Sequence, residues 1–489
     1  MLIEGLGYLY TVVLAGLSIY AVHVLLLIIL FLRHRRDPQP VAPPLARTEH
    51  PTVTVQIPLR NERYVVRRVL HAVAALDWPQ DRLDVQVLDD SDDATTDITR
   101  HVARELRQRG LNVHVLHRRH PEGHKAGALA AGLREAHGDF IAIFDADFCP
   151  EPEFLRQTIP HFVNDPQIGM VQARWGHLNA EYSPITRAQA LLMDAHFTVE
   201  HIARNRSGLL MNFNGTAGVW RRRAIIDAGG WQSDTVAEDL DLSYRAQLRG
   251  WKARYLPDVV APAELPPLVA AFKRQQYRWA KGATQVLRKL AGPILRSRRL
   301  TGAQKLMALL HLSGYVTQPL FLTLLLLMLP MVLLSPPLPP TSAVLGTIVA
   351  IPPLLYVIGQ ITLYPDWARR ILAYPVTMLL GMGIALSTTL AILDGLLHWG
   401  GAFQRTPKYR LESRRGTWQQ CDYQIGVDVT TVGEIILGLY AAAALYQAFA
   451  RNQQHNLLPL IVTYVGAQLL MALGTLVQQY AEHLPTARG

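Results

Sequence analysis

Long apolar runs bracket this chain, and between them the hydrophobic positions change rhythm. Residues 6–32 are almost uninterrupted in apolar side chains, long enough at about 1.5 Å per helical residue to cross a bilayer. Glu4 is the one charge ahead of this run, whereas Arg33, His34, Arg35 and Arg36 follow at once, which predicts that the chain emerges on the cytoplasmic side. Basic residues on the trailing side, with no small-residue cleavage site beyond them, predict a retained anchor and not a removed signal peptide. Residues 38–51 form a proline-rich linker. From Thr52 the pattern becomes strand-like over 53–58, 84–88, 112–116 and 140–144, and helical over 62–76, 97–109 and 125–136. Such alternation predicts a mostly parallel sheet with ligands beyond the carboxyl ends of its strands.

The apolar runs resume after Trp279. Residues 281–300 read as a basic amphipathic helix on the cytoplasmic membrane face, Lys281, Arg288, Lys289, Arg296, Arg298 and Arg299 alternating with Val286, Leu287, Leu290, Ile294 and Leu295. Residues 306–334 and 343–363 predict two spans around a proline-rich turn at 335–340, and Arg369 and Arg370 mark a return to the cytoplasm. Residues 371–397 are apolar enough for another crossing, but that would place Arg405, Lys408, Arg410, Arg414 and Arg415 outside. Their glycines, Pro375, Ser387, Thr388, Thr389 and Asp394 favour an interfacial or re-entrant helix. Residues 432–450 and 457–477 complete a five-span reading with the C-terminus inside; six spans is the alternative. Thr317, Gln318, Gln360, Thr362 and Gln468 are polar positions in these segments that either line a path or serve helix packing.

Composition agrees with this division. A chain of 489 residues, 50% hydrophobic with a mean hydropathy of +0.12, is too apolar for an ordinary soluble protein and long enough for a sizeable soluble domain plus spans. The formal net charge of +10 comes from Lys and Arg beside apolar segments, where headgroups and topology account for it; with no recognition motif, no nucleic-acid partner is expected. Cys149 and Cys421 are the only cysteines, which excludes a disulfide framework and a cysteine-based metal site.

The candidate chemistry lies at strand ends and in residues 212–279. Asp145 and Asp147, spaced by one residue after a strand, offer hard oxygen ligands to Mg²⁺ or Mn²⁺ bridging phosphates; the alternative is that they cap a turn. A second acidic strand end, Asp89-Asp90, and Lys125 in the following His-Lys-Ala-Gly segment favour a nucleotide diphosphate. Glu238 and Asp239 stand just ahead of an amphipathic helix, where a carboxylate either takes a proton or complements the helix dipole, as does Asp241. Gln275, Arg278 and Trp279 combine an amide, a guanidinium and an indole suited to a phosphate and a sugar ring. An amphipathic helix with ordinary surface Arg and buried Trp is the alternative for that cluster.

In order, VQIPLRNE, VLDDS, HKAGAL, FDADF, QARWGHLN, DAHFTVE, FNGTAGVWR, EDLDLSYR and QQYRW resemble the inverting family 2 glycosyltransferases with a D, D, D, QxxRW pattern, the processive synthases of cellulose, chitin and hyaluronan. Among these the motifs look closest to the plant cellulose-synthase-like A and C proteins, which make mannan or glucomannan and the xyloglucan backbone. The resemblance is dense over residues 53–290 and loose over the membrane parts. It implies a cytoplasmic α/β domain of GT-A-like, Rossmann-like mixed-sheet fold plus an α-helical transmembrane bundle. The implied division is an anchor at 1–36, linker at 37–51, glycosyltransferase domain at 52–280 and interfacial helix at 281–300. Two transmembrane helices follow in 301–370, an interfacial or re-entrant helix with a basic cytoplasmic loop in 371–430, and two further transmembrane helices with a tail in 431–489.

The resemblance also implies roles. Asp89 and Asp90 contact the nucleotide; Asp145 and Asp147 hold the metal and diphosphate, with Lys125, Gln275 and Arg278 on the nucleotide sugar. Asp239 is the general base; Trp279, Asn214, Gly215, Thr216 and Glu238 form the acceptor side, while Asp194 and His196 are core or hinge groups. Residues 403–408 loosely resemble the substrate-gating loop of cellulose synthase but depart from its pattern, and a basic surface loop is the alternative. The implied reaction transfers hexose from GDP-mannose or UDP-glucose to the non-reducing end of a growing β-linked, β-1,4 polysaccharide, with Mg²⁺ or Mn²⁺ as cofactor. Secretion of the polymer between the spans is a further expectation, and single addition to a lipid, as by ceramide glucosyltransferase, is the second reading. The lipid bilayer would be an inner or plasma membrane in a bacterium, or a Golgi-like membrane in a plant. None of the motifs separates guanine from uracil or mannose from glucose.

Overall fold

Alternation in the soluble part resolves into one sheet. The computed structural model describes residues 2–38, 42–46, 49–401, 405–421, 423, 426, 428–451 and 457–483. The elements run α1 (Leu2–His34), β1 (Val53–Leu59), α2 (Val66–Ala74), β2 (Leu83–Asp89), α3 (Thr95–Gln108), β3 (Asn112–His117), α4 (His124–Glu135), β4 (Phe140–Ile143) and α5 (Phe154–Asn164). They continue with β5 (Ile168–His177), α6 (Pro184–Ala195), α7 (His201–Arg206), β6 (Gly218–Arg221), α8 (Arg222–Asp227), α9 (Glu238–Arg249) and β7 (Lys252–Ala263). A π-helical segment, His196–Glu200, joins α6 to α7.

The seven strands lie in the order β3-β2-β1-β4-β6-β5-β7. β1 pairs in parallel with β2 and β4, β2 with β3, and β5 with β7, while β6 runs antiparallel to β4 and β5. The sheet is therefore mixed. Its one reversed strand puts the start of β6 at the same edge as the ends of the others, so residues before Gly218 meet those after β4. Side chains alternate between two cores, as the period of two requires. Ala142 joins Val69, Val102 and Phe154 of α2, α3 and α5 on one face; Ile141 and Ile143 join Leu129, Ile225 and Leu242 of α4, α8 and α9 on the other. The second core also takes Leu27, Ile28 and Phe31 of α1, so the C-terminal end of that apolar helix is packed into the α/β domain.

Beyond β7 come α10 (Val269–Arg296), α11 (Gly302–Leu312), α12 (Thr317–Leu334), α13 (Thr341–Val349), α14 (Pro353–Leu363), α15 (Trp367–Arg370), α16 (Tyr374–Gly383), α17 (Ala385–Leu397), α18 (Val429–Ala450) and α19 (Leu458–His483). Among the described residues, five segments are long and apolar enough to cross a membrane: Ile3–His34, Gly314–Leu334, Thr341–Leu363, Val429–Ala450 and Leu458–Tyr480. The second starts later than the apolar run suggests. Its first turns belong to α11, which has its own capping box from Thr301 and Gln304 and is followed by a 3₁₀ turn at Gly314–Val316. α10 is a single helix of 28 residues, so the boundary expected at 280/281 falls inside it. α16 and α17 meet at a bend of 45°. The bent pair touches α6 and α10 near its two ends: the Thr377 hydroxyl donates to the Ala188 carbonyl at 3.3 Å, and Asp394 pairs with Lys281 of α10 at 2.7 Å.

α10 is held from a second side by a buried ion pair, Lys273 Nζ to Glu434 Oε1 of α18 at 2.8 Å, with Asp428 at 3.5 Å. Such a pair weighs most when one partner is lost, because the other charge is left buried. Glu434→Ala should therefore lower the stability of the purified protein in nanodiscs by about 3 kcal/mol, read as a fall in melting temperature, whereas the double change Lys273→Met, Glu434→Leu should fall much less. Equal melting of Glu434→Ala and the parent would mean that the pair holds nothing.

Candidate active site

β1, α4, β5, α6, α9, β7 and α10, with the loops after β2 and β4 and before β6, line one cavity at the carboxyl edge of the sheet. Of the residues singled out by sequence, Asp90, Lys125, Asp145, Asp147, Asn214, Gly215, Glu238, Asp239, Gln275, Arg278 and Trp279 all line it. Asp89 and Thr216 do not stand among the lining residues. Asp89 is the last residue of β2 and turns into the protein, fully buried, where its Oδ1 accepts the Ser91 amide at 3.0 Å and its Oδ2 accepts the Thr96 hydroxyl at 2.7 Å and lies 3.0 Å from His117 Nδ1. It fixes the turn that presents Asp90. Asp90 is gripped by Arg118 through Nε at 2.7 Å and Nη2 at 2.5 Å, a bidentate pairing that orients its carboxylate.

Past β4, the chain turns under Thr216, whose hydroxyl accepts the Asp145 amide at 2.8 Å. The Lys125 ammonium donates to Asp145 Oδ1 at 2.6 Å and to the Gly215 carbonyl at 2.9 Å. Asp147 is buried and meets Lys408 at 2.7 Å. Two carboxylates give hard oxygen donors, and among the described residues no group of three His, Cys, Asp or Glu is arranged to hold a metal. That donor set fits a divalent cation completed by a ligand's own phosphate oxygens better than an all-protein cage.

Gly215 has φ +81° and faces the Asp239 carboxylate so closely that an added Cβ would lie 2.8 Å from Oδ2. Its neighbour Asn214 is clamped between two histidines. His201 Nε2 lies 2.8 Å from Asn214 Oδ1, and Asn214 Nδ2 lies 3.1 Å from His196 Nε2. The amide orientation makes His196 the acceptor there, so its Nδ1–H faces Glu200 Oε2 at 2.8 Å. Burial holds the His201 pKa well below the usual imidazole range. For Glu200, burial acts the other way, but Arg204 and His196 outweigh it and its carboxyl stays well below its ordinary pKa. His196 is thus part of the support for the cavity wall.

At the start of α9, Glu238 is buried and Asp239 partly exposed. Burial first, and then the adjacent Asp239 carboxylate, push Glu238 up to about 7; burial also raises Asp239, against the pull of Lys125 and Arg278. On α10, Gln275, Gln276, Arg278 and Trp279 face the cavity, while Tyr277 points away and donates to Asp394 at 2.9 Å. The split follows from 3.6 residues per turn.

The sequence reading did not select Glu62, His177 or Glu264 and took Arg405 and Lys408 only as part of the 403–408 segment; all five line the cavity. Glu62 and His177 sit inside quoted motifs, and Arg405 and Lys408 inside the basic loop. Arg405 reaches Glu62 at 3.0 Å, yet burial outweighs it and raises Glu62 to about 8. Phe403 and Gln404 of the 403–408 segment lie outside the described residues. The cavity as a whole combines two carboxylates with hard oxygen donors, cationic groups suited to phosphate, and a separate carboxyl pair, one buried and one partly exposed, able to accept a proton beside an indole.

Comparison with known proteins points the same way. Residues 50–282 match the family described as Glycosyltransferase like family 2. Glucomannan 4-beta-mannosyltransferase 1 of Oryza sativa subsp. japonica is 44% identical over 274 residues, 55% of this chain and 53% of that protein. Glucomannan 4-beta-mannosyltransferase 2 of Arabidopsis thaliana is 44% identical over 260 residues, 52% of this chain and 49% of that protein. The matched part of the chain thus spans about half the length of these curated relatives. A mannosyltransferase from Pyrobaculum calidifontis, solved in complex with GDP-Man and Mn²⁺, shares the fold with a TM-score of 0.53 at 21% identity, over 79% of this chain and 99% of that one.

Gly215 gives the site a stability test. Gly215→Ala must hold a side chain at φ +81° against Asp239, so it should lose at least about 1 kcal/mol of stability, measured by thermal unfolding. Melting equal to the parent would show room that the geometry denies.

Proposed function

We propose that this chain, whose residues 50–282 form a family 2 glycosyltransferase domain, is a membrane-bound inverting hexosyltransferase that extends a β-1,4-linked polysaccharide from a nucleotide sugar. GDP-mannose is the favoured donor and UDP-glucose the second, since the relatives at 44% identity are glucomannan 4-beta-mannosyltransferases. The observation that carries this reading is the convergence on one cavity of Asp145 and Asp147, Lys125, Asp239 and the Gln275, Arg278, Trp279 face of α10.

Asp239 takes the proton of the acceptor hydroxyl as that oxygen attacks the anomeric carbon and the bond to the diphosphate breaks. The nucleoside diphosphate departs as an anion, so no protein acid is needed and one displacement inverts the centre. Lys125 and Arg278 supply positive charge for the donor's diphosphate, and Asp90, set by Arg118, serves the nucleotide. Asp145 and Asp147 would hold Mg²⁺ or Mn²⁺, which when bound neutralises charge on the leaving diphosphate. Trp279 offers an apolar face to the acceptor ring, while Asn214, Gly215 and Thr216 shape the wall beside it and Glu238 tunes Asp239.

The domain lies on the cytoplasmic side, below five spans, with the bent pair α16 and α17 as a re-entrant element. Arg33, Arg35 and Arg36 at the end of α1, and the return of Arg405 and Lys408 to the cavity, support that topology. The polymer leaves between the spans.

The first assay supplies the protein in lipid with Mn²⁺ and, separately, labelled GDP-mannose and UDP-glucose, following nucleotide release and product size. High-molecular-weight product from one donor is expected; a single-sugar lipid product would replace polymer extension with glycolipid synthesis. Asp239→Asn should cut turnover roughly 100- to 10,000-fold with nucleotide affinity retained, and undiminished turnover would remove Asp239 as the base. A protonated Asp239 cannot accept the acceptor's proton, and burial raises its pKa, so the rate should fall on the acid side along a limb displaced upward from the ordinary carboxylate range; a limb within that ordinary range would remove Asp239 as its source.

A further inference from the structure

We propose that His177 is an acceptor-sugar contact whose ring is set by Asp194 and, through Asp194, by the membrane helix α14. The inference rests on the glycan-transfer reading above. His177 closes β5 and lines the cavity together with Trp175, Phe272, Gln276 and Trp279. Its Nε2 lies 3.0 Å from Asp194 Oδ1, at the end of α6. The other Asp194 oxygen accepts Gln360 Nε2 at 2.9 Å, and Tyr364 donates to Oδ1 at 3.3 Å. Asp194 and Gln360 are 3% and 1% exposed, so this is a closed arrangement in which a buried anion is met by three donors.

A histidine that only filled space against Trp175 would need none of this. Burying a carboxylate is costly unless it is fully paired, and a glutamine inside an apolar span is costly unless it has a partner. Gln360 and Asp194 satisfy each other across the boundary between bundle and domain. Burial disfavours the Asp194 charge, but His177 and Gln360 outweigh it and keep the carboxyl below its ordinary pKa. The fixed anion selects the imidazole tautomer protonated at Nε2. Nδ1 is then the ring nitrogen with which His177 can meet a ligand hydroxyl. An indole or phenyl face beside one oriented polar nitrogen is the combination that recognises a pyranose ring and its hydroxyls.

Sheet order assigns this contact to the acceptor and not the donor. The groups for the nucleotide and diphosphate come from the ends of β2 and β4, whereas β5 lies beyond β6 in the order β3-β2-β1-β4-β6-β5-β7. His177 therefore lies two strands beyond β4 in the sheet and shares the cavity lining with Trp279.

The test uses the full chain in nanodiscs, with mannohexaose as acceptor for GDP-mannose or cellohexaose for UDP-glucose, and reads acceptor KM, donor KM and kcat separately. His177→Phe keeps the bulk but loses the nitrogen, and should raise acceptor KM by roughly 5- to 10-fold with a much smaller change in donor KM. His177→Gln should recover part of the loss. Asp194→Asn and Gln360→Leu act through the ring and should shift acceptor KM in the same direction by less. An acceptor KM unmoved by His177→Phe, or a donor KM that rises equally, overturns the assignment. Should His177→Phe fail to fold, an unmoved acceptor KM in both His177→Gln and Gln360→Leu overturns it instead. A parent protein that binds nucleotide but transfers sugar to no acceptor would refute the glycan-transfer reading itself, independently of His177.

Discussion

One ammonium group holds the two halves of the cavity in register. Lys125 reaches from the start of α4 to Asp145 at 2.6 Å and to the Gly215 carbonyl at 2.9 Å, joining the acidic turn after β4 to the loop before β6. Those loops become neighbours only because β6 runs against β4, which brings its entry to the carboxyl edge. Burial works against the charge on Lys125, but Asp145 and Glu238 outweigh it and raise its pKa. The Asp239 side and the Asp145 side of the cavity are thus tied through a group with little freedom to move, and Gly215 passes close to Asp239 as a consequence.

α10 makes the second connection, between the cavity and the apolar helices. One stretch of it gives Gln275, Arg278 and Trp279 to the cavity. The residues between and around them turn elsewhere: Lys273 to α18, Tyr277 and Lys281 to Asp394 of α17. Farther along, Arg288 lies over Trp399 at 4.1 Å and donates to the Gly395 carbonyl at 2.8 Å. A helix that carries cavity-lining groups on one side and contacts to α17 and α18 on the others cannot rotate or slide without disturbing both.

Much of this was legible in the sequence because local rules cover it. The strand and helix periods between residues 53 and 144, the acidic strand ends and the α9 and α10 motifs all depend on neighbours close in sequence. Register is what the letters did not separate. Asp89 and Asp90 are the same residue type side by side, and only the pleat and the turn decide that the first anchors Ser91, Thr96 and His117 while the second meets Arg118. Apolar counting ran 306–334 together because a capping box and a 3₁₀ turn hardly alter hydropathy. Lys408 and Asp147 are 261 positions apart, a pairing that no period announces. Gln360 read equally well as a path-lining or a packing residue, since its partner Asp194 lies 166 positions away.

Those distant pairings bear on whether the α/β domain can be regarded as a module set on a membrane anchor. A cut after α10 would remove Glu434 and Asp428 from Lys273, Asp394 from Lys281, and Gln360 and Tyr364 from Asp194. The cut strips the partly or wholly buried charges Lys273 and Lys281 of these partners and leaves Asp194 with one of its three donors, His177, and a buried charge so left is far more destabilising than the intact pair is stabilising. Two of the three affected groups lie on α10 itself, on either side of Gln275 to Trp279, and the third supports His177 at the cavity wall. The bundle is therefore part of the site's support, and the geometry of the cavity is a property of the whole described chain rather than of residues 50–282 alone.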